Sequence, residues 1–155
     1  MTTPTGDARV RRPLQHEALL RELRDDAAFP YMRDALLFAA ALGARVGRRT
    51  SFQGSGEPIR YDTLTEPTFA AALVNMIAVK EVPDDPEILD SSRLAERLEI
   101  FAEYANGGLD CIQEEVNVRH MPADQVVIAL ATEALDSTRG GDTVSVEDLL
   151  DGVSW

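Results

Sequence analysis

The chain is 155 residues long, 45% hydrophobic and 27% charged, which fits one domain with a real core and excludes wholesale disorder, a collagen-like repeat and most multidomain enzymes. Its single cysteine, Cys111, excludes an internal disulfide, and its net charge of −12 opposes overall attraction to a phosphate backbone. That charge is unevenly placed: residues 1–60 hold ten arginines and seven acids (+3), residues 61–155 five basic residues and 20 acids (−15).

Residues 1–12 read as a flexible basic arm, closed by Pro13, ahead of a single helical domain over 13–155. The arm lacks the apolar core of a secretory signal, so the expected location is cytoplasmic. A first helix is predicted from Leu14 to about Ala27, with Leu19, Leu20 and Leu23 as its buried stripe. A second begins near Pro30, a residue tolerated in a first turn, and runs to Gly43. From Ala35 to Leu42 it is apolar almost all round, which places it at the centre of a bundle. This longest apolar run is far short of the roughly 20 residues that cross a bilayer, so no membrane span is expected.

The segment from Arg45 to Arg60 is the least regular. Gly47, Gly54, Gly56 and Pro58 predict a long basic loop, and loops of that length in compact domains commonly carry function. Thr65 is the expected N-cap of a helix in which Phe69, Leu73, Met76 and Ile77 recur at helical spacing up to Lys80. Pro83-Asp84-Asp85-Pro86 is a turn by composition, and Asp90 or Ser91 can cap a helix with the stripe Leu94, Leu98, Phe101, Ala102 and Ala105. Gly107-Gly108 costs that helix about 2 kcal/mol of propensity relative to alanine, predicting a kink or a break before Leu109, Ile112 and Val116. Pro122 opens another helix, whose pairs Val126/Val127, Leu130/Ala131 and Ala134/Leu135 mark a wide buried face and which Arg139-Gly140-Gly141-Asp142 should stop. Ser145 and Asp148 suggest a short capped terminal helix carrying Leu149 and Leu150. With no sustained alternation of period two, the expected fold is all-α: a compact single-domain bundle of five to seven helices with a basic, Gly-rich loop at about 45–60.

Arg45, Arg48, Arg49 and Arg60 are the candidate nucleic-acid or partner-binding residues. With backbone amides freed by Gly47, Gly54 and Gly56, they could cradle phosphate oxygens through bidentate, charge-assisted contacts. The competing reading pairs them with the acidic excess of residues 61–155, within the chain or in a neighbouring copy. Gly54-Ser55-Gly56 lacks the lysine and the preceding strand of a nucleotide-binding P-loop. Phe52 offers a base-stacking platform or, more simply, an anchor for the loop.

No metal or other cofactor is expected. Glu99/Glu103 and Asp110/Glu114 have the four-residue spacing of di-metal bundles, but neither His16 nor His120 completes a Glu-x-x-His motif, and the carboxylates read as a solvated face. The acids Asp84, Asp85, Glu87 and Asp90 lack the alternating oxygens and glycine of a calcium loop. Cys111 reads as an inert core residue, and His16 and His120 as surface residues, so no catalytic constellation assembles and no enzyme is expected.

Four segments in fixed order carry a resemblance: Arg12-Pro13; Leu37-Phe38-Ala39-Ala40-Ala41-Leu42-Gly43; Gly47-Arg48-Arg49-Thr50 through Gly56-Glu57-Pro58-Ile59-Arg60; and Phe101-Ala102-Glu103-Tyr104-Ala105-Asn106-Gly107-Gly108-Leu109. Over about residues 11–150 the chain resembles the Dnd system-associated protein 4 family, found with DNA phosphorothioation loci, in which a backbone oxygen is replaced by sulfur. The resemblance implies a setting and not a reaction; taken with the basic loop and the missing catalytic set, it leads to the expectation of a non-catalytic accessory protein of a phosphorothioation-linked modification and restriction system acting in anti-phage defence. Its expected partners are other proteins of that locus, with duplex DNA and a second copy of the chain left open. The alternative is an acidic DNA mimic or regulator that occupies a partner nuclease, supported by the −15 segment.

Overall fold

The structure is a computed structural model that describes residues 7–26 and 28–142, with side chains as far as Thr138. It is an all-α bundle. After a two-residue strand β1 (Arg9–Val10) and a 3-10 turn (Leu14–His16) come α1 (Glu17–Asp25) and α2 (Met32–Val46). A loop leads to β2 (Ile59–Arg60) and the single turn α3 (Tyr61–Leu64), followed by α4 (Ala70–Glu81), 3-10 turns at Pro86–Leu89 and Ser91–Arg93, α5 (Leu94–Arg119) and α6 (Ala123–Asp142). The predicted terminal helix around Ser145 and Asp148 lies outside the described residues, as do residues 1–6 of the predicted arm.

The rest of that arm is not free. β1 pairs antiparallel with β2, setting Arg9 against Arg60 and Val10 against Ile59, and Pro13 bridges to Ser55. Val10 is fully buried, so residues 9–12 belong to the fold. A two-residue ribbon is too short to print an alternating pattern in the sequence.

α2 and α5 make the most extensive helix contact and hold the centre of the core, as the apolar run Ala35–Leu42 requires. Their approach depends on glycine. A Cβ on Gly108 would collide with the carbonyl of Ala39, and one on Gly43 with the carbonyl of Tyr104. Gly107-Gly108 therefore does not break the helix: α5 runs unbroken for 26 residues, and the lost propensity is offset by burial of the crossing. α6 likewise runs on to Asp142 through the glycine pair expected to stop it.

Helix ends depart from expectation where local chemistry decides. α2 passes Gly43 and ends at Gly47, in the left-handed region at φ 73°, where only glycine is unstrained. Arg45 thus sits on the helix and not in the loop. Thr65 does not start α4; its hydroxyl donates to the carbonyl of Tyr61 (2.8 Å) and closes α3 instead. Asp90 caps the Ser91–Arg93 turn, accepting from the Ser92 amide (2.9 Å), and not the long helix itself, which starts at Leu94 without a side-chain cap; buried Arg97 donates to the carbonyls of Ile88 (2.6 Å) and Asp90 (2.7 Å), tying the turn to α5.

Candidate functional site

The loop after α2 lies along one face of α5. Gly107 makes room for it, because a Cβ there would collide with the carbonyl of Arg48. The Thr50 amide donates to the Glu103 carbonyl (3.1 Å), and Asn106, fully buried, donates to the Thr50 carbonyl (3.0 Å) while accepting from Gln15 (2.9 Å). One buried amide thus joins the loop, the N-terminal turn and α5.

Around this hub the polar residues of α5 form a ladder. Glu99, Glu103, Asn106, Asp110 and Glu114 fall three or four apart, on one helix face. Each carboxylate takes a cation from the segments lying over it. Arg11 holds Glu99 with its Nε at 3.1 Å and stacks over the Phe52 ring, 4.3 Å from its centroid. Arg49 bridges Glu103 (2.7 Å) and Glu81 of α4 (2.8 Å). His16 meets Asp110 at 2.6 Å, and Arg48 holds Glu114 through two bonds of 2.8 and 2.9 Å. Arg48 also approaches Asp110 (3.8 Å) and the Cys111 sulfur (3.8 Å).

The electrostatics follow the pairing. The hydrogen bonds from Arg48 hold the Glu114 carboxyl below its usual range. The Tyr104 hydroxyl and Arg49 do the same for Glu81, while burial and the bond to Glu81 push the Tyr104 phenol up to about 12. Burial lowers the Arg49 guanidinium, but its bonds to Glu103 and Glu81 outweigh that and raise it.

The four arginines singled out in the sequence do not share one surface role. Arg48 and Arg49 turn onto α5 and α4 carboxylates. Arg45, in the last turn of α2, reaches the Ala134 carbonyl of α6 (3.4 Å). Arg60 stands on β2 opposite Arg9, with Asp62 at 3.5 Å. The carboxylates read as a solvated face are the partners of the loop and of the N-terminal segment. Arg11, Gln15, His16 and Asn106 complete the ladder unforeseen. Phe52 is buried as the loop's anchor and flanks an open groove of about 310 Å³ lined also by Leu14, Gln15, Gln53 and Gly54.

Among the described residues no group of three or more His, Cys, Asp and Glu side chains is placed to hold a metal, and no helix is long and apolar enough to cross a membrane. His16 and Asp110 form a dyad that joins the N-terminal turn to α5. Compared with known proteins, residues 9–148 match the family described as DNA sulphur modification system-associated protein 4. No curated protein and no solved structure matches the chain.

Proposed function

This chain belongs to the DNA sulphur modification system-associated protein 4 family, and from that premise we propose that it is a non-catalytic accessory component that acts by binding other proteins of its modification locus. One observation carries the reading: the acids and arginines with the right chemistry for a reaction centre are spent on one another in the α5 ladder. Acid–base or nucleophilic work needs a group poised for substrate, whereas here Glu103 and Glu114 hold Arg49 and Arg48 of the loop, and Glu99 and Asp110 hold Arg11 and His16 of the N-terminal segment.

Within this proposal Arg48 and Arg49 position the loop. Contacts to an anionic partner, a DNA backbone included, fall to Arg45 and to the Arg9–Arg60 pair on the ribbon, where two like charges stand directly opposite each other. The DNA-mimic alternative is weakened by the same ladder, which neutralises acids that a mimic would display.

The test is direct binding between the purified chain and each protein encoded beside it, with duplex DNA, sulfur-modified and unmodified, titrated in parallel at low and high salt. Binding of a co-encoded protein supports the proposal. A DNA complex that Arg45→Ala/Arg60→Ala abolishes, with no protein complex, would replace it with a DNA-binding function.

A further inference from the structure

α4 is at odds with its surroundings. Between Ala70 and Val79 it carries one polar residue, Asn75, the composition of a helix buried on all sides. Yet its main packing among the described residues is against α5, α2 and the Pro86–Leu89 turn, and part of its surface stays exposed. Phe69 is 59% and Met76 68% exposed, with Ala72 and Val79 exposed beside them. At about 100° per residue these four positions share an arc of roughly 80°, and at about 1.5 Å per residue they form a stripe about 15 Å long. Scattered apolar residues are ordinary on a surface; an aligned set on a helix this apolar marks a contact face.

The charge around the stripe identifies its occupant. At its C-terminal end Asp84 and Glu87 are exposed and make no ion pair among the described residues. The nearby cations are engaged: Lys80 donates to the Ala44 carbonyl (2.7 Å), Arg93 is held by Asp85 and Glu96 (2.8 Å each), and Arg33 by Glu66. A second copy of the chain would bring another −12 of charge and, at the opposite end of its stripe, only the neutralised Arg33–Glu66 pair. An apolar ridge with adjoining Lys or Arg is complementary on both counts.

We propose that the Phe69–Ala72–Met76–Val79 face of α4 docks an amphipathic helix of a basic partner protein, its apolar side on the stripe and its cations beside Asp84 and Glu87. This rests on the partner-binding reading above and assigns that reading a surface.

Purified co-encoded proteins are titrated against the full chain, against Met76→Glu and against Asp84→Lys/Glu87→Lys. Met76 is exposed, so Met76→Glu should keep the wild-type unfolding midpoint while weakening the complex about 30-fold or more, the loss typical of a central interface anchor. The lysine pair should weaken it several-fold, and most at low salt. A photocrosslinking side chain at position 76 should then label a partner segment with basic, helical-period sequence. Undiminished binding by Met76→Glu, or a crosslink to a second copy or to residues 143–155 of the same chain, overturns the assignment and leaves the accessory reading standing. If no co-encoded protein binds the wild-type chain, both fail.

Discussion

Replacing Gly108 by alanine should destabilise the protein, although helix propensity alone says the opposite. In a solvent-facing helix interior the change gains about 1 kcal/mol. Here the new Cβ would land on the backbone carbonyl of Ala39, a group that cannot swing aside as a side-chain tip can, so α2 and α5 must separate. Overpacking of a rigid core costs about 1–3 kcal/mol and more where backbone meets backbone, and separation also loosens the largest helix contact in the fold. The net expectation is a loss of about 2–3 kcal/mol, or roughly 5–10 °C in Tm for a domain of this size. Urea and thermal unfolding followed by far-UV circular dichroism give both quantities. Gly54→Ala is the control, since its Cβ would make ordinary contact with Leu14 at 3.4 Å. An unchanged or raised Tm for Gly108→Ala would refute the close crossing and the reason given for the glycine pair.

Other expectations follow from the same geometry. Asn106→Ala leaves the Thr50 carbonyl and the Gln15 amide without a buried partner, and should cost about 2–3 kcal/mol in urea unfolding; a loss below about 0.5 kcal/mol would contradict its role as hub. His120 ends α5 at φ 56°, so His120→Gly should raise the unfolding free energy by up to about 1 kcal/mol, and a fall would argue against the left-handed cap. Glu81 and Glu114 carry lowered pKa values, so their contribution is complete above the unfolded value of about 4.5 and is lost as pH falls through the folded values; urea midpoints should decline on acidification below about pH 4.5, not rise. Tyr104 carries a raised one, so its contribution is present below the unfolded value of about 10 and lost as pH rises towards 12. In an ultraviolet titration one of the three tyrosines should ionise near pH 12, and Tyr104→Phe should remove that step.

How much of this was legible in the sequence depended on whether the signal was local. The apolar run Ala35–Leu42 announced the central helix, because periodicity and burial are read from neighbours in the chain. Asp90 was legible as a cap for the same reason, although the element it caps is the turn ahead of α5 and not α5 itself. Gly107-Gly108 was not: its meaning lies in Ala39 and Arg48, which are distant in sequence and adjacent only once the helices cross. Thr65 offered a start signal that a competing bond to Tyr61 turned into a stop. At the candidate site, the loop arginines and the α5 carboxylates were each visible as charged sets, but their pairing spans 54 to 66 residues and no spacing rule encodes it. The exposure of Phe69 and Met76 was hidden as well, since an apolar residue at helical spacing looks the same whether the neighbour that covers it is in the chain or in another molecule.

In the proposed function Arg48 and Arg49 hold the loop onto α5 and leave contacts with a partner to other residues. A double-mutant cycle of Arg49→Ala and Glu103→Ala, read for both urea unfolding and affinity for a co-encoded partner, tests it most directly. The expected coupling is about 1 kcal/mol in stability for this half-screened networked pair, with affinity unchanged within about threefold in all four proteins. Zero coupling in stability, together with a large loss of affinity in the Arg49→Ala protein, would contradict it.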